Sequence, residues 1–419
     1  MTTPGARLRR ALTEPWPLGR EPEPLRTAPG LLLALVWVTL VLPELVRSFL
    51  EPKVWRPVTD GENELTGVLD TLVSVCNVVL VLGCALAVLA NLRRLPWRGV
   101  LPLLILGAAW LATVVPLLLA DRPPRLAAVL VPAVATAVWA VRPQRGHVAV
   151  LGHATGLLAL ASLALGVLWP RGAIFERSAL VEGEKAVSPW GILAGVLQTG
   201  NLLGLALALG VPSLLYVRRG WLRWTYLGAA ALAIAWSASR TGMIAVLLVA
   251  LAALGLVLVR EPRRLALPWL AALALGALLL PFVVRVPTAF TNRGGYWISS
   301  LDAWRESPWT GHGADWFKVL AQGEENLGGH AYHAHNQVVQ VLVTGGALLM
   351  VLALAVLLVL GRRAVAWAGR GWAWPTLVLT ALAVVASFEV PLGLVDRTGY
   401  VPFAMLPLAV LAFVEPERE

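Results

Sequence analysis

A succession of long apolar runs limits what this chain can fold into more than any other feature. Twelve are legible, over residues 30–50, 65–90, 99–120, 125–141, 147–169, 190–217, 221–238, 241–259, 265–284, 336–360, 372–390 and 398–414. Crossing about 30 Å of hydrocarbon takes about 20 apolar residues in a helix. The runs are apolar all round, as helices in lipid are. The Pro and Gly inside them do not forbid helix where neighbouring helices re-satisfy the backbone. The whole chain is 58% hydrophobic and 14% charged, against about 45–50% and about 25% in soluble domains. An ordinary soluble enzyme, a disordered chain and a nucleic-acid-binding domain are excluded. The expected fold is an all-α, polytopic integral membrane protein with about 12 transmembrane helices. Cys76 and Cys84 lie eight residues apart in one run, two helical turns and too far to pair.

The net charge of +10 comes from Arg gathered in short loops rather than from a basic groove. With the N-terminus inside, the inner segments hold 20 of the 34 Lys and Arg, including the pairs Arg93-Arg94, Arg218-Arg219, Arg263-Arg264 and Arg362-Arg363. Acidic residues are mirrored, 17 of 24 falling outside. The positive-inside rule then puts both termini in the cytoplasm. The first run starts too late and is too long for a cleaved signal. Residues 1–29 are expected to be a cytoplasmic tail, 30–414 the membrane domain and 415–419 a cytoplasmic C-terminus. Polar material collects on the extracytoplasmic side, above all in one long loop, 285–335, with four of the six His. Long loops carry function more often than stability. ATP and nucleotide sugars are absent from that side, and no P-loop or dinucleotide motif appears, so a donor there must bring its own activation.

Ser237 to Gly242 joins the seventh and eighth runs and places Arg240 at an outer hairpin. A guanidinium there either snorkels to the interface or clamps an anion through its forked donors. Arg293 and Trp297 open the long loop at a spacing of one helical turn, with Trp297 expected in the membrane interface and Arg293 above it. Pro308 to Phe317 is a Gly-rich turn ending in aromatics, readable as a tight loop packed on the membrane surface. Gln198, Thr199, Gly200 and Asn201 form a polar patch in the sixth run, suited to a groove or to close helix packing. Asp70 is a further ionisable group within a run.

The densest segment is His330 to Gln337, where His330, His333 and His335 run into the tenth span. Three readings compete: a metal site, a surface cluster, and a general base near neutral pKa at the water–lipid boundary. No carboxylate or Cys sits at a matching spacing for a metal. Asn336 beside them can orient a hydroxyl or cap the helix.

Together these residues resemble the O-antigen ligase and O-antigen polymerase family of polytopic membrane glycosyltransferases. Ser239-Arg240 looks like the family's Ser-Arg, Arg293 with Trp297 like its Arg-x-x-x-Trp, and Pro308 to Phe317 like its Pro-x-Thr-Gly-x-Gly stretch. His335-Asn336, then nine residues, then Gly346 is similar to its His-Asn-(nine)-Gly pattern. Gly200 replaces the Pro of a Pro-Asn pair, with Asn201 retained, and Leu349 replaces a Gly, Thr or Tyr. The resemblance covers about 190–350. It implies a GT-C-like fold in the cytoplasmic (inner) membrane and transfer of a glycan from polyprenyl pyrophosphate, usually undecaprenyl, to an acceptor hydroxyl. His335, Arg240 and Arg293 would be catalytic. Asn336, Trp297, His333, Asn201, Gly311 and Gly313 would bind substrate. No metal or other cofactor is implied, and the acceptor is a glycan, lipid or protein. A secondary transporter or flippase of glycan substrates stays open. It fits less well, because transporters place charged or broken helices at mid-membrane in both halves.

Overall fold

The computed structural model describes residues 5, 24–53, 67–95, 97, 99–121, 124–176, 189–318, 333–395 and 398–415. His330, most of the N-terminal tail and the middles of loops 51–64 and 170–189 lie outside the described residues. Every apolar run carries a helix. They are α1 (Ala28–Leu50), α2 (Gly67–Ala90), α3 (Leu101–Leu119), α4 (Leu130–Val141), α5 (Val148–Leu168), α6 (Gly200–Leu214), α7 (Gly220–Trp236), α8 (Arg240–Leu258) and α9 (Pro262–Val283), then, after one helix outside the runs, α10 (Ala289–Glu306), come α11 (Gln337–Gly369), α12 (Trp374–Phe388) and α13 (Leu406–Phe413). Among the described residues, seven helices are long and apolar enough to cross a membrane, and four shorter apolar ones join them. Leu82, Leu86, Leu104 and Leu247 stay exposed on the outside of the bundle, as side chains facing lipid do. The chain is an all-α polytopic membrane protein.

The short helix α6 is the hub. It packs against α5, α7, α8 and α12, and every residue from Leu203 to Leu214 is buried. Apolar burial gives helices little reason to associate in lipid, so close approach at small residues does the work. A side chain at Gly204 would run into Ser239, and one at Gly242 into the Gly204 carbonyl. That crossing brings the start of α8 against the start of α6. Gly210 meets Thr155 of α5 in the same way.

Three sequence expectations change. The sixth run is helical only from Gly200. Ahead of it, strand β2 (Ile192–Leu193) pairs antiparallel with β1 (Ile174–Phe175), and Ala194, Val196 and Leu197 are buried. Thr199 ends this non-helical entry by capping α6, its Oγ1 accepting from Leu202 N–H at 3.1 Å. Loop 285–335 is not one loop, because α10 occupies its first half. Asp70 sits in the first turn of α2 and is exposed there, where a carboxylate complements the helix N-terminus.

The turn after α10 is also not packed merely on the surface. Helix α11 breaks at Gly346, whose φ of +61° and ψ of −162° belong to a region essentially reserved for Gly. The break strands backbone groups that lipid cannot satisfy. The chain after α10 supplies their partners. His312 N–H donates to Val343 O at 2.8 Å and Gly313 N–H to Thr344 O at 3.0 Å, while Ala347 N–H donates to Pro308 O at 2.8 Å and Leu348 N–H to Trp309 O at 3.1 Å. Gly311 (φ +65°) and Gly313 (φ +96°) make the turn possible. Pro308, with no N–H, contributes its carbonyl. A side chain at Gly346 would meet the Trp309 backbone. Gly346→Ala is therefore expected to cost about 1–3 kcal/mol, read as a lower unfolding temperature in detergent. Gly107→Ala, which faces open space, is the control and should be near neutral.

Candidate active site

A single carboxylate organises one end of the bundle. Glu389 follows the last residue of α12 and is 4% exposed. Its Oε1 accepts from Val390 N–H at 3.1 Å and lies 3.1 Å from His333 Nε2. Its Oε2 accepts from Asn201 Nδ2 at 3.2 Å and lies 3.5 Å from His335 Nδ1. Three donors converging on two oxygens, with His335 Nδ1 in ion-pair range, is the pattern of an ionised carboxylate, which offers acceptors only.

Asn336 brings the two histidines to it. This residue is fully buried. Its Oδ1 caps α11, accepting from Val338 N–H at 2.9 Å and Val339 N–H at 3.0 Å. Its Nδ2 donates to Ser387 O in the last turn of α12 at 2.9 Å. Of the two sequence readings of Asn336, the cap is the one seen. Gln340 Oε1 accepts from Ala334 N–H at 3.0 Å and tightens the turn that carries His333 and His335. His335 itself takes φ +48°, uncommon for a side-chain-bearing residue.

The turn also fixes a tautomer. His335 N–H donates to His333 Nδ1 at 2.9 Å. In the neutral ring that leaves the proton on Nε2, aimed at Glu389 Oε1. His333, His335 and Glu389 each offer a ligand atom within 4.8 Å of the others, and the carboxylate missing from the sequence spacing is thus present. The donor set nevertheless suits a metal poorly, because His333 Nε2 presents a hydrogen where a cation needs a lone pair. On His335 it is Nδ1 that faces Glu389, in ion-pair range.

Two guanidinium groups stand at the same end. Ser239 caps α8, accepting from Gly242 N–H at 3.3 Å, and donates to Asn201 Oδ1 at 3.2 Å. Arg240 is the next residue and is exposed. The chain Ser239–Asn201–Glu389 thus links the Arg240 hairpin to both histidines. Asn201, expected to bind substrate, has both amide atoms engaged in that link. Arg293 lies on α10, one turn from Tyr296, whose ring centroid is 5.9 Å from that of His335. Burial raises the Tyr296 phenol above its ordinary value, so it stays neutral. Trp297, expected in the membrane interface, packs inside the protein instead. It is fully buried, 5.5 Å from Phe290 and 6.4 Å from Phe388, the neighbour of Glu389. The Arg-x-x-x-Trp spacing therefore anchors α10 through Trp297 and leaves Arg293 one turn away. Among the described residues neither Arg240 nor Arg293 has an ion-pair partner.

Backbone strain gathers around these positions. Of the seven described non-Gly residues with positive φ, five (Ala238, Phe290, Thr291, Asn292 and His335) lie within three residues of Arg240, Arg293 or His335. Such conformations cost about 1–3 kcal/mol each and cluster where function over-determines them.

Residues 225–354 match the family model described as O-antigen ligase. That stretch is similar to the family's domain, and it lies within a multi-pass membrane protein. The O-antigen ligase match spans Arg240, Arg293, Trp297, His333, His335, Asn336 and the Gly346 break. Asn201 and Glu389 lie outside it. No curated relative matches the chain. Glu389 was missed in the sequence, although one signal was there: a carboxylate at the edge of an apolar run is costly and marks a site by default. Glu44 and Arg47 in α1 carry the same signal.

The His333 tautomer makes a direct prediction. Zinc added to the protein in detergent will leave its unfolding temperature unchanged. An occupied site at 100 times its Kd would add about 2.7 kcal/mol, and such a rise, lost in Glu389→Ala, contradicts the tautomer.

Proposed function

We propose that the protein transfers a glycan from a polyprenyl pyrophosphate to an acceptor hydroxyl, at the extracytoplasmic face of the cytoplasmic membrane and without a metal. The observation that carries this reading is the pairing, at one end of the bundle, of a carboxylate-held imidazole with two guanidinium groups that have no carboxylate of their own among the described residues. A pyrophosphate is the partner such guanidinium groups lack, and the Lys and Arg distribution supports that end lying outside with both termini in the cytoplasm.

In this mechanism the acceptor oxygen attacks the anomeric carbon. The bond from that carbon to the pyrophosphate oxygen breaks, and its electron pair leaves with the pyrophosphate. The acceptor proton passes to Nε2 of His335. One displacement inverts the anomeric centre. Arg240 and Arg293 neutralise charge growing on the leaving group, preorganised stabilisation of the kind worth about 3–4 kcal/mol per donor. Glu389 orients His335 and balances the imidazolium. Asn201, His333 and Asn336 are positioning residues: they hold that carboxylate and the turn that carries His335. Ligase and polymerase reactions differ only in the acceptor, which is a glycan, lipid or protein.

Transfer from purified lipid-linked glycan in liposomes tests this. Arg240→Ala, Arg293→Ala and His335→Ala should each lower the rate by about 10²–10³ while eluting as folded protein. Near-normal transfer in all three ends the assignment. Glu389→Gln should lower kcat by at least about tenfold and leave the donor KM unchanged, since it acts through His335. A chelator should have no effect on any of them.

A further inference from the structure

A second polar cluster, not used in the mechanism above, lies beside the start of α6. Glu44 projects from the last third of α1 with its side chain 20% exposed. Its Oε1 accepts from Gln198 Nε2 at 3.2 Å, and its Oε2 lies 3.3 Å from Arg47 Nη1. Arg47 also lies 3.9 Å from Glu51. Ser48 Oγ is within 3.2 Å of Gly195 O and 3.1 Å of Val196 O, bolting α1 to the segment that carries Gln198. Gln198 precedes Asn201 by three residues, so their Cα atoms are at most about 11 Å apart. Glu44 and Glu389 are therefore joined through Gln198 and Asn201 across the mouth of α6.

We propose that Glu44, Gln198 and Arg47 form a subsite that grips sugar hydroxyls of the glycan substrate. The proposal rests on the glycosyl-transfer reading and names what binds beside the reacting centre. The charge balance selects the ligand. Glu44 and Glu51 oppose Arg47 and Lys53, so the cluster as a whole draws neither an anion nor a cation. It offers planar acceptors and planar donors side by side. Hydroxyl groups, each a donor and an acceptor, match that set. A diphosphate would favour Arg240 and Arg293, which have no competing carboxylate. Burial lowers the Lys53 ammonium to about 8, which makes it a weaker anion site still. An aromatic pair borders the same end of α1: Trp169, 45% exposed, lies 6.3 Å from Phe49. Aromatic surface beside a few converging polar groups is common in small-molecule sites.

The test uses the full-length protein in detergent and two probes, oligosaccharide released from the host's own envelope polysaccharide and inorganic pyrophosphate. Glu44→Gln preserves shape and leaves Arg47 its contact with Glu51, while Gln198→Ala removes the bridging amide without touching the charges. Both should weaken oligosaccharide binding at least tenfold and leave pyrophosphate binding unchanged. Arg240→Ala should do the reverse. Unchanged oligosaccharide affinity in both folded variants, or no oligosaccharide binding by the wild type, shows an inert ion-pair network and overturns the subsite. Equal loss of both probes overturns it too. Retained pyrophosphate binding in Arg240→Ala would instead strike at the transfer mechanism, so the two failures read differently.

Discussion

The convergence of three donors on the Glu389 carboxylate, with His335 in ion-pair range, is the interaction on which the rest of this end of the molecule depends. A carboxylate nearly sealed from solvent at the end of an apolar helix is stable only if every lone pair is used. Its donors come from α6, from the turn before α11 and from the backbone just beyond Glu389. Each of those elements is fixed by something else: Thr199 and Asn336 cap their helices, and Asn336 ties the start of α11 to the end of α12. The electrostatic demand of one residue thus sets the relative positions of elements far apart in sequence. Catalytic geometry needs this kind of rigidity, because a reacting group displaced by about 1 Å loses much of its effect.

Membrane physics explains the rest of the architecture in the same terms. Backbone polar groups must be satisfied within the protein. The break at Gly346 is tolerated because the turn after α10 supplies the missing partners. That repair draws the end of α10 against α11, and the buried Trp297 fixes its other half near Phe388. The strained residues before Arg293 and at His335 are held by the same packing. Small residues at helix crossings do for α6 and α8 what apolar burial does in water, and they place Ser239 against Asn201.

Much of this was legible in the sequence, and the remainder was hidden for identifiable reasons. Hydropathy located all the apolar helices because lipid leaves a period-independent signature. It misplaced the start of α6, since the buried entry through Ile192 and Leu193 is as apolar as a helix and differs only in hydrogen bonding. It missed α10, whose polar surface looks like a loop to a hydropathy window. Arg240, Arg293 and His335 stood out as polar residues at span ends, and the structure gathers them at one end of the bundle. Glu389 escaped because its partners are distant in sequence, and no local spacing reports a pairing across helices. Trp297 was read as an interfacial anchor because Trp commonly is one, whereas the packing of α10 on the end of α12 buries it.

The central claim is that Arg240 and Arg293 hold a diphosphate against an imidazole set by Glu389. A structure of the protein with a non-hydrolysable polyprenyl-pyrophosphate glycan tests it most directly. Phosphate oxygens are expected within hydrogen-bonding distance of both guanidinium groups, with the anomeric carbon facing Nε2 of His335. A diphosphate bound elsewhere, or an anomeric carbon remote from that nitrogen, would contradict it.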